Sequence, residues 1–123
     1  MPVARKRRPI AVPPPPGSGC PLSPCIRLLA GAWSLEIIYF VRDGPLRFGQ
    51  IRRSLTGISS KVLTTRLRQL EERGVVRRTV LPANPPMVEY GLTHLGRQLL
   101  PILNAMSRVG ARIMARPKAR STA

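Results

Sequence analysis

The sequence predicts a mostly α-helical domain with a small two-stranded antiparallel β wing. Three observations predict it. The stretch GISSKVLTTRLRQLEERGVVRRTV, Gly57 to Val80, reads as an amphipathic helix closed by a glycine and followed at once by a strand. The segment ANPP, Ala83 to Pro86, is a turn that no central strand tolerates. MVEYGL then reads as the returning strand. Helix, glycine, strand, Pro/Asn turn, strand is the order of a winged helix-turn-helix. In that arrangement the outer face of the recognition helix enters the major groove of DNA.

The elements follow in order. Met1 to Gly19 contains ARKRRP and then PPPPGSG. Basic, Pro-rich and without apolar periodicity, it is expected to be a disordered or polyproline arm. The ordered domain is expected over residues 20–114, with a basic tail over 115–123. A first helix is expected from Pro24 to Ala30, with Ile26 and Leu29 on one face and Gly31 ending it. Ser34 is a candidate N-cap for SLEIIYFVRDG, and Glu36 sits near the positive end of that helix dipole. Ile37 to Val41 is apolar nearly all round, which predicts a central, buried helix. Asp43-Gly44-Pro45 stops it. Arg47 to Leu55 gives a third helix, with Phe48, Ile51 and Leu55 on one side.

The fourth helix takes Ser59 or Ser60 as its N-cap. Leu63, Leu67 and Leu70 fall within about 60° of one another. Lys61, Thr65 and Arg68 centre on the opposite side, with Thr64 on its flank. Gly74 is the C-cap candidate. VVRRTVL and MVEYGL form the wing. Thr93 caps a last long helix, which Pro101 is expected to kink by removing a backbone bond.

The chain has 123 residues, so one domain with a single modest core is expected. Lys and Arg number 21 against five Asp and Glu, a formal charge of +16. The stretch from Cys20 to Met114 retains a large basic surplus. Such a surface attracts polyanions, nucleic acid foremost. No apolar run approaches the ~18 residues of a membrane span. The basic start leads into prolines instead of an apolar run, so a secretory signal is not expected and a cytoplasmic location is. Two cysteines, Cys20 and Cys25, make no disulfide framework.

Each candidate DNA contact has a physical job. Ser59 and Ser60 lie at a helix N-terminus, whose unpaired N–H groups can also hold a phosphate. Lys61 and Arg68 suit phosphates or guanine edges, while Thr64 and Thr65 suit bases or a thymine methyl. Arg52 and Arg53 lie on the preceding helix, which crosses the backbone in such pairs. Arg77 and Arg78 alternate along a strand, so one of them is expected to face the minor groove. Arg66 lies nearer the core side, where bonding within the protein competes with DNA. The wing tip carries no cation. Glu89 suits pairing with an arginine, and Trp33 suits core packing. His94 stands alone, without the partners a zinc site needs, so no metal or cofactor is expected. No catalytic constellation or glycine-rich phosphate loop is present, which argues against an enzyme.

The last helix carries more apolar residues than a small wing can cover. Leu99, Leu103, Met106 and Ile113 form a seam expected to pack, with Ile26 and Leu29 of the first helix, across a two-fold axis. A homodimer bound to near-palindromic double-stranded DNA follows.

The chain resembles the HxlR-type transcriptional regulators, a branch close to the MarR-like winged-helix proteins. The resemblance spans roughly Cys20 to Gly110. It is carried by Cys20-Pro21, by Trp33 thirteen positions after the cysteine, by DGPLRFGQIRRSLTGISSKVLTTRLRQLEERGVVRRTV and by PPMVEYGLTHLGRQLLPIL. It implies a homodimeric bacterial regulator of operator DNA, most often a repressor. It further implies a response to oxidants, quinones or aldehydes through Cys20, and so a small-molecule inducer. Two departures stand out. Ala32 replaces the family's usual lysine before the tryptophan, and Cys25 occupies a position where a small apolar residue is common. A sensing thiol needs its thiolate populated by positive charge or a helix N-terminus. Cys20 precedes the first helix in a basic chain, which meets that requirement in outline. The alternatives are a non-sequence-specific architectural nucleic-acid-binding protein and a winged helix used for protein contact. A protein-contact face would be more apolar than Lys61, Thr64, Thr65 and Arg68.

Overall fold

The computed structural model describes residues 19–116. The expected arm, apart from Gly19, and the expected tail beyond Arg116 lie outside the described residues. Six helices and three strands follow in the order α1 (Leu22–Leu29), α2 (Ser34–Phe40), β1 (Leu46–Arg47), α3 (Phe48–Ser54), α4 (Ser60–Glu72), β2 (Val76–Leu81), β3 (Met87–Leu92), α5 (His94–Gln98) and α6 (Leu100–Ala115).

The first helix begins earlier than expected. Pro21 takes the N-cap with φ −63°, and Pro24 falls inside the first turn. The opening N–H groups of a helix have no intrahelical acceptor, so a proline there costs no bond. No residue of α1 is fully buried. Ser34 is not the cap of α2 but its first residue. Trp33 occupies the N-cap with a left-handed φ of 76°. The Ser34 hydroxyl is buried and donates to the Ala30 carbonyl at 2.9 Å, so it serves the turn behind it.

The sheet has three strands rather than two, in the antiparallel order β1-β3-β2. Leu46 lies opposite Tyr90 and Arg47 opposite Glu89, so Arg47, expected at the start of α3, joins the wing instead. Arg47 then caps α3, its N–H donating to Gln50 Oε1 at 2.8 Å. The wing hairpin keeps an unbroken register from Val76↔Leu92 to Leu81↔Met87.

The core is built where the sequence pattern puts it. Ile37 and Ile38 of α2, Ile51 of α3 and Leu63, Leu67 and Leu70 of α4 are buried, with Val75 and Val76 closing the wing side. Trp33 and Tyr39 pack on its edge. The last helix is interrupted rather than kinked. α5 ends at Gln98, Leu99 forms the joint, and Pro101 lies in the first turn of α6, where it needs no acceptor. Leu99 and Leu103 are each 3% exposed within their own chain. The expected dimer seam therefore splits: its first half belongs to the core, and only Met106 and Ile113 remain exposed.

Candidate nucleic-acid interface

Helix α4 is fixed at both ends by its own sequence. Ser59, not Ser60, is the N-cap, its Oγ accepting from the Val62 N–H at 3.1 Å. Gly74 follows the C-cap Arg73 with φ 79°, a left-handed turn that glycine makes without a Cβ clash. Because Leu63, Leu67 and Leu70 are buried, the opposite side is fixed toward solvent.

On that side Ser60, Lys61, Thr64 and Arg68 are exposed and Thr65 is half-buried. Lys61, Thr64, Thr65 and Arg68 follow an i, i+3, i+4, i+7 spacing and share one arc of roughly 100°. The Thr65 hydroxyl donates to the Lys61 carbonyl at 3.0 Å, so its polar hydrogen is spent on its own helix. Its methyl group and an oxygen lone pair remain for a ligand. Thr64 keeps the freer hydroxyl geometry.

Two further sets of cations flank this face in sequence. Arg52 and Arg53 are exposed on α3 and line a shallow depression with Phe48, Gly49, Gly57 and Ile58. Arg77 and Arg78 are both exposed on β2, which is an edge strand of the sheet. Successive strand residues point to opposite faces, so exposure of both leaves each available to solvent on its own side of the sheet. Glu89 lies opposite Arg47 in the sheet and shares a crevice with Arg77 and Arg97. His94 is exposed at the start of α5. Among the described residues no three His, Cys, Asp or Glu side chains gather as a metal site would need.

Arg66 resolves inward. Its Nε donates to the Ala32 carbonyl at 2.7 Å and its Nη1 to Gln69 Oε1 at 2.6 Å. Arg73, which the sequence reading did not single out, has Nη1 donating to the carbonyls of Leu28 (3.2 Å) and Ala30 (2.8 Å). Its buried Nε and Nη2 have no hydrogen-bond partner. Burial, then the neighbouring Arg66 cation, hold the Arg73 guanidinium below its ordinary pKa, and Glu72 offsets part of this. The available signal was spacing: Arg66, Gln69 and Arg73 recur at i, i+3, i+7, a third stripe between the apolar and outer faces.

A model of the HxlR-like helix-turn-helix family matches residues 28–118, across the α3–α4 pair and the wing just described. The chain belongs to the HxlR-like family. An HTH-type transcriptional regulator of Synechocystis sp. is 43% identical over 95 residues, covering 77% of this chain and 70% of that one. The HxlR-like chain is also 40% identical over 96 residues to the HTH-type regulator YybR of Bacillus subtilis, covering 78% and 77%. Among solved structures, the redox regulator HypR in its oxidized form matches with a TM-score of 0.72 at 39% identity, covering 76% of this chain and 96% of HypR. The reduced form of the B. subtilis transcriptional regulator YodB matches at 0.65 and 38% identity, covering 72% and 88%. These relatives are regulators, not enzymes, and this HxlR-like protein is a DNA-binding transcriptional regulator of the helix-turn-helix type. No helix among the described residues is long and apolar enough to cross a membrane.

Proposed function

We propose that the protein is a homodimeric repressor that reads a near-palindromic operator with α4 and releases it when Cys20 is oxidised or alkylated. The observation that carries the DNA-reading part is the exposed stripe Lys61, Thr64, Arg68 on a helix whose other side is locked into the core. Such a stripe offers base-edge donors on a rigid support, and Arg52 and Arg53 supply phosphate contacts beside it. Two-fold symmetry places one α4 in each half-site, about 34–36 Å apart. Repression follows from occupancy of a promoter by such a dimer.

Support for thiol control is separate. Cys20 is exposed and lies just before α1. HypR has been solved in oxidized and reduced forms, and YodB after diamide treatment. Oxidation that links Cys20 to a second thiol would move α1, and with it the spacing of the two α4 helices.

The DNA part is checked on a duplex enriched from a random-sequence pool by the full chain. A protein substituted at Lys61, Thr65 and Arg68 together should lose preference for it over a scrambled duplex; unchanged preference would overturn the assignment. The thiol part is checked by measuring affinity before and after diamide for wild type and Cys20→Ser. Wild type should lose affinity and Cys20→Ser should keep it. Retention by wild type, or equal loss by both, removes Cys20 as the switch.

A further inference from the structure

The recognition helix has three working faces, and the third has no assigned role. Its apolar face is core and its outer stripe faces solvent. Arg66, Gln69 and Arg73 form the remaining side, and it grips the turn after α1. Three carbonyls, those of Leu28, Ala30 and Ala32, accept from its two arginines. Two left-handed residues on either side of Ala32 shape that turn, Gly31 at φ 103° and Trp33 at φ 76°. For a bulky residue such as Trp33 that backbone region is strained and persists only where its surroundings hold it. A Cβ on Gly31 would sit 3.2 Å from Arg66 Nη1, so the arginine side chain lies close against the turn and would have to give way by a few tenths of an ångström.

The arrangement is poor value as a simple stabiliser. It brings two cations together and leaves buried Arg73 Nε and Nη2 without partners. An unpartnered buried donor costs free energy that an apolar side chain would avoid. What the bonds do supply is direction. Guanidinium forks fix the angle between α4 and the end of α1 more tightly than apolar contact can. Helix α1 buries no residue completely; Cys25, Leu28 and Leu29 pack half-buried against the core, and the Arg73 bonds add directional ties at its carbonyl end.

We propose that Arg66 and Arg73 are positioning residues for DNA recognition: they fasten α4 to the carbonyl end of α1, so that a displacement of α1 re-aims the base-reading stripe. The proposal rests on the DNA reading above, but not on thiol chemistry. Anything that shifts α1, whether a change at Cys20 or contact with a second copy, reaches Lys61, Thr64 and Arg68 through a rigid helix and not through a chain of loops. Neither arginine touches DNA in this scheme.

The decisive variant is Arg73→Met, which keeps bulk and removes every donor. Affinity of the full chain is measured for the enriched duplex and a scrambled one across a salt series. A positioning residue should lose preference for the enriched duplex by about tenfold or more while scrambled-duplex affinity and salt slope stay at wild-type values. A phosphate contact would instead weaken both duplexes and flatten the slope. A purely structural role would lower thermal stability and both affinities together. Amide exchange gives the second readout: enriched duplex should slow exchange across Leu22–Leu29 in wild type and not in Arg73→Met. If Arg73→Met does not fold, Arg66→Met, which severs only the Ala32 and Gln69 bonds, is read in the same way. A folded variant with wild-type preference and wild-type protection of α1 overturns the proposal. A wild-type chain that cannot distinguish the two duplexes overturns the DNA reading itself, and this inference with it.

Discussion

Arg53 and Arg68 are both exposed arginines, yet their substitutions should be told apart by what each contact depends on. Arg68 sits in the outer stripe of α4 beside Thr64 and Thr65, where a bidentate fork can meet a guanine edge. Arg68→Ala should relax preference at one base position, at about 1–3 kcal/mol against the wrong base. Arg53 lies on α3 beside the shallow depression that Phe48 and Ile58 line. Arg53→Ala should weaken every duplex alike and lower the salt slope by about one unit. Binding to a panel of singly substituted duplexes at several salt concentrations separates the two. Thr65→Ala belongs between them. Its hydroxyl hydrogen is engaged by Lys61, so the variant removes a methyl contact and an acceptor, and the loss should concentrate at an A·T pair.

At the level of elements, the joint between wing and α5 is the tightest crossing. Gly96 packs against the Val75 carbonyl and Leu92, and an added Cβ would overlap the carbonyl oxygen. Thr93 Oγ1 accepts from the Gly96 N–H at 3.0 Å, and its one proton goes to the Gly74 carbonyl at 2.5 Å, with the Val75 carbonyl at 3.1 Å, so the crossing is pinned by hydrogen bonds as well. Gly96→Ala should therefore destabilise the fold by about 1–3 kcal/mol, seen as a lower midpoint in urea with no change in slope. Ser59→Ala should cost about 1 kcal/mol through the lost cap of α4. The Thr93 cap was legible in the sequence because it stands directly before helical apolar periodicity, and the α4 cap was legible to within one residue, as Ser59 or Ser60. The buried face of α4 was legible for the same reason. Two features were not, and a third was legible only in part. β1 is two residues long, too short for any alternation to show. Ser34 has the composition of a cap, but the left-handed Trp33 before it moves the helix start, and nothing local in the sequence requires a tryptophan to adopt that backbone. The α1 clamp was half-visible: Arg66 was placed between core and solvent, but Arg73 could be given a partner only once Leu28 and Ala30 were folded beside it.

The molecule as a whole leaves apolar surface that its own core does not use. Periodicity along the last helix marks a face as apolar without naming what covers it, which is why Leu99 and Leu103 belong to the chain's own core while Met106 and Ile113 stay exposed. Val109 and Met114 join them on α6, and Leu22 and Ile26 repeat at i, i+4 on α1. Leu22 is 66% exposed and Met114 85%, and exposed apolar surface of this extent marks an interaction site. The proposed second copy, related by a two-fold axis that sets α1 and α6 of each chain against their counterparts, would cover this surface and supply the symmetry a palindromic site needs. Obligate interfaces of this kind are large and hydrophobic, so a pair of charges in the patch should abolish association without touching the core. Met106→Glu with Ile113→Glu should give a folded monomer by sedimentation velocity at micromolar concentration, where wild type sediments as a dimer. The same variant should bind a single half-site as wild type does and lose the gain from linking two half-sites, a factor of about 10²–10⁴. A wild-type monomer at that concentration would remove the dimer and its half-site spacing. A monomeric variant that still binds the full site at wild-type strength would show instead that one α4 suffices to read it.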